Sequence, residues 1–141
     1  MSVSARLIRL GVKLKVPIVL ENPATSMLWL MPPIARLVAL NCCTSTNLDF
    51  CAFASPWRKR TRFSVWHGAN VDILKGHICS SKKGMCDYSG KQHVRLEGCK
   101  DGVFLTYIAQ AYPKGLCNLF ARLLDNCIRS VCIDKKQRLF Y

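Results

Sequence analysis

Apolar positions recur at helical spacing from the start of the chain. Leu7, Ile8, Leu10, Val12 and Leu14 follow Ser4, with Arg6, Arg9 and Lys13 on the other faces, which predicts a basic amphipathic helix. Val16 to Leu20 is short, β-branched and apolar at nearly every position, as a strand covered on both faces would be, and Pro17 is tolerated at its start. It stops at Glu21-Asn22-Pro23, which sets Glu21 at the strand's carboxyl end, where ligands of open α/β sheets bind. Pro32-Pro33 suits a helix start, and Ile34, Leu37, Val38 and Leu40 give that helix one apolar face before Asn41.

Leu48 to Ala54 predicts a second strand and Thr61 to Trp66 a third, separated by the Pro-led turn Pro56-Trp57-Arg58-Lys59-Arg60. That turn should present its cations together at one edge of the sheet. From Gly76 to Gly102 the periodicity dissolves into Gly, Ser, Lys, Cys and His, and Val103 to Tyr112 fits either helix or strand. After Pro113, the stripe Leu116, Leu119, Phe120, Leu123, Leu124 and Ile128 predicts a closing helix.

The length of 141 residues fits one domain, organised as an α/β segment over 1–75, a Cys/His-rich loop over 76–102 and a helical segment over 103–141. With 50% apolar and 21% charged residues, the chain can build a packed core, and wholesale disorder is not expected. Twenty-one Lys and Arg stand against eight acids, a net charge of +13, so a polyanion such as DNA is the expected partner. No membrane span is expected, because the longest apolar run, Met27 to Leu40, is broken by Pro32, Pro33 and Arg36. Arg6, Arg9, Lys13 and Lys15 interrupt any secretory signal and the nine cysteines are odd in number, which points to a reduced intracellular compartment, cytoplasmic or nuclear. Four cations and no acid in the first 20 residues also match an organellar transit peptide.

Cys79, Cys86, His93 and Cys99, spaced by six, six and five residues with His77 nearby, are soft and imidazole donors suited to tetrahedral zinc. The alternative is unpaired thiols and an ordinary histidine, since the spacing is not that of a Cys-x-x-Cys knuckle. Cys117, Cys127 and Cys132 read as apolar thiols in or beyond the last helix, Trp29 and Trp66 as core or stacking residues, and His67 has no assigned partner.

Glu21-Asn22-Pro23, then Cys51-Ala52-Phe53-Ala54 leading into Lys59-Arg60-Thr61, a Cys-containing loop, and Tyr112-Pro113-Lys114-Gly115-Leu116-Cys117 together resemble cytosine-5 DNA methyltransferases. They resemble most a divergent phage-like and retroelement-associated branch, over most of residues 14 to 125. Where the main family reads Glu-Asn-Val and Tyr-Gly-x-Pro-Gln-x-Arg-x-Arg, this chain has Pro23, Phe53-Ala54 and Trp57. Lys59 and Thr61, or in a shifted register Arg60 and Arg62, stand where the family has arginines. The resemblance implies a truncated Rossmann-like methyltransferase fold of about three strands with flanking helices, plus the Cys/His loop. It implies that Glu21 meets the negative charge that develops at N3 when a thiolate adds to carbon 6 of cytosine. Asn22 would hold the loop or donate to the base edge, and Arg58, Lys59, Arg60 and Arg62 would hold phosphates around a flipped base.

The family enzyme binds S-adenosylmethionine through a Gly-rich loop and uses a Pro-Cys nucleophile. This chain has neither, and no cysteine in it follows a proline. It therefore reads as the carboxyl-terminal part of a catalytic domain, inactive alone and needing an amino-terminal half or partner chain. The alternative is a non-catalytic basic nucleic-acid-binding module, zinc-stabilised, from a mobile element.

Overall fold

A computed structural model describes residues 3–68 and 70–138, with side chains to residue 129. Cys132 lies outside the described side chains. The fold is mixed α/β: a three-stranded sheet carries helices on both faces. The chain runs through α1 (Val3–Leu14), β1 (Ile18–Pro23), α2 (Pro32–Val38), β2 (Cys43–Asp49), β3 (Arg60–Trp66), a small hairpin of β4 (Cys99–Lys100) and β5 (Val103–Phe104), α3 (Leu105–Ile108) and α4 (Lys114–Arg138). Short 3-10 turns at Met27–Leu30, Phe50–Phe53 and Val71–Leu74 fill the connections.

The strand order is β1-β3-β2, and both pairings are antiparallel. Adjacent strands therefore lack the parallel pairing of a Rossmann-like sheet. β1 and β2 nonetheless run the same way, linked by an α2 crossover, with β3 slotted between them. Alternation along β3 divides the core. Phe63 and Val65 face Leu48, Phe50, Val71, Leu74, Leu116, Leu123 and Cys127, whereas Trp66 faces Ala5, Ile8, Trp29, Ile34 and Leu37. One layer is thus built on α4 and the other on α1 and α2. Trp66 Nε1 donates to Leu37 O at 2.8 Å and Trp29 Nε1 to Pro23 O at 2.9 Å, so both indoles are satisfied core residues.

α1 forms as its periodicity predicts, with Ala5, Ile8 and Gly11 buried. Gly11 marks a close approach, because a β-carbon there would meet Ile18 Cδ1 and Cγ1 of β1 and force that side chain to move. The helix ends in a Schellman pattern, with Lys15 at φ 54° and bonds from Val16 N to Gly11 O and Lys15 N to Val12 O. His67, left without a partner by the sequence, lies within 3.3 Å of Val12 O through Nε2. In α4, Leu116, Leu123 and Cys127 are buried, while Leu124 and Ile128 fall on the flank and stay exposed.

Three boundaries differ from expectation. β1 begins at Ile18 and runs through Pro23, so Glu21 lies within the strand, opposite Phe63, instead of at its end. A proline closes it because β1 is an edge strand, where a missing N–H costs little. The second strand is Cys43–Asp49, not Leu48 to Ala54. As an edge strand exposed along Thr44, Ser45 and Asn47, it carries no apolar signature, and the apolar Phe50–Phe53 that suggested a strand is a 3-10 turn ending at Ala54 with φ 65°. Val103 to Tyr112 is partly strand and partly helix, split at Leu105. No helix among the described residues is long and apolar enough to cross a membrane.

Candidate metal centre and the Glu21 site

Three thiols and one imidazole converge behind the sheet. Cys51 comes from the 3-10 turn after β2, and Cys79, Cys86 and His93 from the Gly-rich loop; their ligating atoms all lie within 4.8 Å of one another. The three cysteines are buried together, and Cys79 Sγ is 3.8 Å from His93 Nε2.

A buried carboxylate fastens this loop to the sheet. Asp49, at the end of β2 and 0% exposed, accepts from Cys79 N at 2.7 Å and from Arg60 Nε and Nη2 at 3.0 and 2.7 Å. Arg60 Nη2 also donates to Cys79 O at 3.2 Å, and Asp49 N donates to His77 O at 2.8 Å. The remaining ligands sit on a short turn in which Cys86 N donates to Lys91 O and Gly90 N to Cys86 O. Gly90 holds φ 66°, a conformation natural to glycine.

The donor chemistry fits a metal. His93 Nδ1 is 3.1 Å from Gly84 O, and a carbonyl only accepts, so Nδ1 carries the proton and Nε2 presents its lone pair toward Cys79. Burial opposes ionisation of Cys86, but hydrogen bonds from Ser89 and the Tyr88 backbone outweigh it and pull the thiol down to about 6. Burial, then the neighbouring Cys79 and Cys86, push Cys51 up. A cation bound among these sulfurs would draw them into the thiolate form. Three sulfurs and one nitrogen are a donor set compatible with zinc, and four protein ligands are the number that structural zinc sites use.

The centre corrects one ligand expected from sequence. Cys99 is exposed on the β4–β5 hairpin and is not in the cluster; Cys51 takes its place. The reason is topological. Cys51 lies far upstream in sequence, and the Asp49 anchor, together with the Val94 N to Pro56 O bond, holds the loop back against the turn that carries it. His77 also stays out, with its ring 4.8 Å from that of Phe53 and Nε2 against Ile73 O.

On the α4 face, Tyr112 donates to Glu21 Oε2 at 2.6 Å, while Glu21 Oε1 is buried with no partner. Burial, then the Glu21 carboxylate, pushes the Tyr112 phenol well above its ordinary value. Lys59 Nζ lies 4.7 Å over the Phe50 ring and 5.9 Å from that of Tyr112, and donates to Ala109 O at 3.4 Å. Tyr112 also lines a cavity of about 400 Å³ with Phe53, Trp57 and Pro113. Asn22 projects from the next position of β1, opposite Arg62.

The expected cation cluster is dispersed. Arg60 is committed to Asp49, and Arg58 Nε approaches the same carboxylate at 3.5 Å. Lys59 joins the Tyr112 aromatic group, and Arg62 lies over Trp29 at 4.8 Å and donates to Ser45 Oγ at 3.4 Å. Arg60 belongs to β3 and not to the turn; it lies on the same strand face as Arg62, and the two are separated because each is taken by a different partner, Asp49 and Trp29. Sequence reasoning missed Cys51, Asp49 and the Tyr112 contact; a buried acid among basic residues was the one available signal, for Asp49.

The fold and the centre together define a small mixed α/β protein with a Cys3His cluster that could hold a metal ion. No family model, curated protein or solved structure matches the chain.

Proposed function

We propose that this chain is the base-receiving part of a cytosine-5 DNA methyltransferase-like domain, organised by zinc and inactive by itself. The observation that carries this reading is the 2.6 Å bond between Glu21 and Tyr112. It joins two of the segments through which the chain resembles that family, and Lys59 of the third lies beside them. The Rossmann-like part of the reading rests on β1 and β2 running in one direction through the α2 crossover.

Glu21 would supply the hydrogen bond to N3 of the flipped pyrimidine, with Tyr112 orienting its carboxyl through Oε2. Cys51, Cys79, Cys86 and His93 would hold zinc, which supplies rigidity to a loop poor in apolar residues. S-adenosylmethionine does not fit the residues present. The chain contains no Gly-x-Gly sequence to cradle it, and no cysteine follows a proline. Both belong to an amino-terminal half or a partner chain in this reading. The test is a reconstituted complex with a chain supplying those elements: Glu21→Gln should abolish methylation while leaving DNA affinity unchanged. Methylation that survives the substitution removes Glu21 from the chemistry.

The second reading, a non-catalytic basic nucleic-acid-binding module from a mobile element, is favoured by charge. Eight acids cannot neutralise 21 cations within the chain. It expects no methylation in any pairing and binding that weakens steeply with salt.

A further inference from the structure

A second cavity, of about 480 Å³, opens between the Pro56–Arg58 turn and the loop that carries the metal ligands. Arg58, Lys83 and Arg95 line it together with Ser81, Gln92 and Trp57, and no Asp or Glu is in its wall. Among the described residues neither Lys83 nor Arg95 makes an ion pair. Trp57 is half-buried, and its Nε1–H is enclosed without an acceptor. Lys83 is held at φ 52° and Ser81 at the same value, a conformation that costs non-glycine residues roughly 1–2 kcal/mol each. Arg58 shares the Asp49 carboxylate, so Lys83 and Arg95 are the two cations of this cavity without an acidic partner among the described residues, and two strained residues beside them are what a binding site retains and a solvated loop does not need.

We propose that this cavity binds a phosphodiester group of a single nucleic-acid strand, with Arg58, Lys83 and Arg95 supplying charge and Trp57 the apolar floor. Two guanidinium forks match the paired oxygens of a phosphate. Trp57 in the wall is the kind of aromatic side chain on which an unpaired base stacks, which favours a single strand over a duplex whose bases are already stacked. His93 lies in the same wall and contacts Ser81 through Nδ1 at 3.2 Å, so the metal centre fixes the cavity's shape. The proposal rests on the nucleic-acid contact common to both functional readings.

The full chain, loaded with zinc, is titrated against a labelled oligothymidylate of about 12 nucleotides and followed by fluorescence anisotropy. The Lys83→Ala/Arg95→Ala double variant should weaken binding tenfold or more and flatten the salt slope by about 1.4, two contacts at roughly 0.7 each. Lys83→Gln/Arg95→Gln, with zinc content and circular dichroism unchanged, should give the same loss and so separates charge from folding. Lys13→Ala/Arg36→Ala removes equal charge elsewhere and should change affinity by less than twofold. The site is overturned if the Lys83/Arg95 variants bind within twofold of the parent, or if the control pair loses as much. A duplex bound as tightly through the same residues overturns the single-strand assignment. Full displacement by inorganic phosphate at matched ionic strength overturns the polynucleotide assignment in favour of a free anion. If the parent chain shows no salt-sensitive binding tighter than about 10⁻⁴ M, the nucleic-acid reading itself falls, and the cavity proposal with it.

Discussion

Tyr112 and Glu21 are 91 residues apart in sequence and 2.6 Å apart in space, and among the described residues the phenol is the hydrogen-bond partner of the carboxylate. Because Glu21 Oε1 is enclosed and unpaired, Tyr112→Phe leaves the whole carboxylate without a donor. We expect a loss of about 1–3 kcal/mol in urea unfolding. The raised phenol gives the pH dependence its sign. In the unfolded chain the phenol ionises near its ordinary value of roughly 10, and in the fold only above that. Its contribution is therefore complete below that pH and is lost as pH rises toward the folded value. Stability measured across the alkaline range should fall faster for the parent than for Tyr112→Phe.

The metal centre makes a discriminating prediction between two cysteines. Cys51→Ser should lose stoichiometric zinc and the thiolate-to-metal absorption of the cobalt-substituted protein, whereas Cys99→Ser should keep both. The reverse result would restore the ligand set expected from the spacing of the loop.

Asp49 is the buried anchor of that centre. Arg60→Gln removes two of its hydrogen bonds but leaves the Cys79 amide and the neighbouring Arg58. Arg60 is also 38% exposed in its side chain, so the cost should be about 2–3 kcal/mol, at or below the usual range for breaking a buried pair. Zinc affinity should drop with it, because the same carboxylate positions the Cys79 backbone. Equilibrium unfolding with and without chelator separates the two effects.

Gly11 marks the closest approach of α1 to the sheet. Gly11→Val drives methyl groups into Ile18 and should destabilise the chain by about 1–3 kcal/mol by overpacking, despite valine's neutral effect on charge. Thermal unfolding at neutral pH measures it. Gly76, with open space around it but φ 82°, should instead lose stability through backbone strain alone.

Much of the scaffold was legible before any coordinates. The stripe from Leu116 to Leu123, the Pro32 helix start and the alternation of β3 each express a local period, and local periods survive folding because they decide which face becomes apolar. β2 was illegible for the complementary reason: an edge strand with little core contact carries no pattern to read. At the candidate site, Cys79, Cys86 and His93 were found from residue type within one loop, and Cys51 was not.

The sequence by itself determined the basic character of the protein, its apolar faces and the presence of thiols and an imidazole in one short loop, because these depend on composition and nearest neighbours. Tertiary structure alone decided that the strands pair antiparallel, that Arg60 serves Asp49 in place of a ligand, and that Cys51 replaces Cys99. Those choices depend on which distant surfaces are buried against each other. A buried carboxylate must find donors wherever the chain can bring them, and that requirement has no period along the sequence.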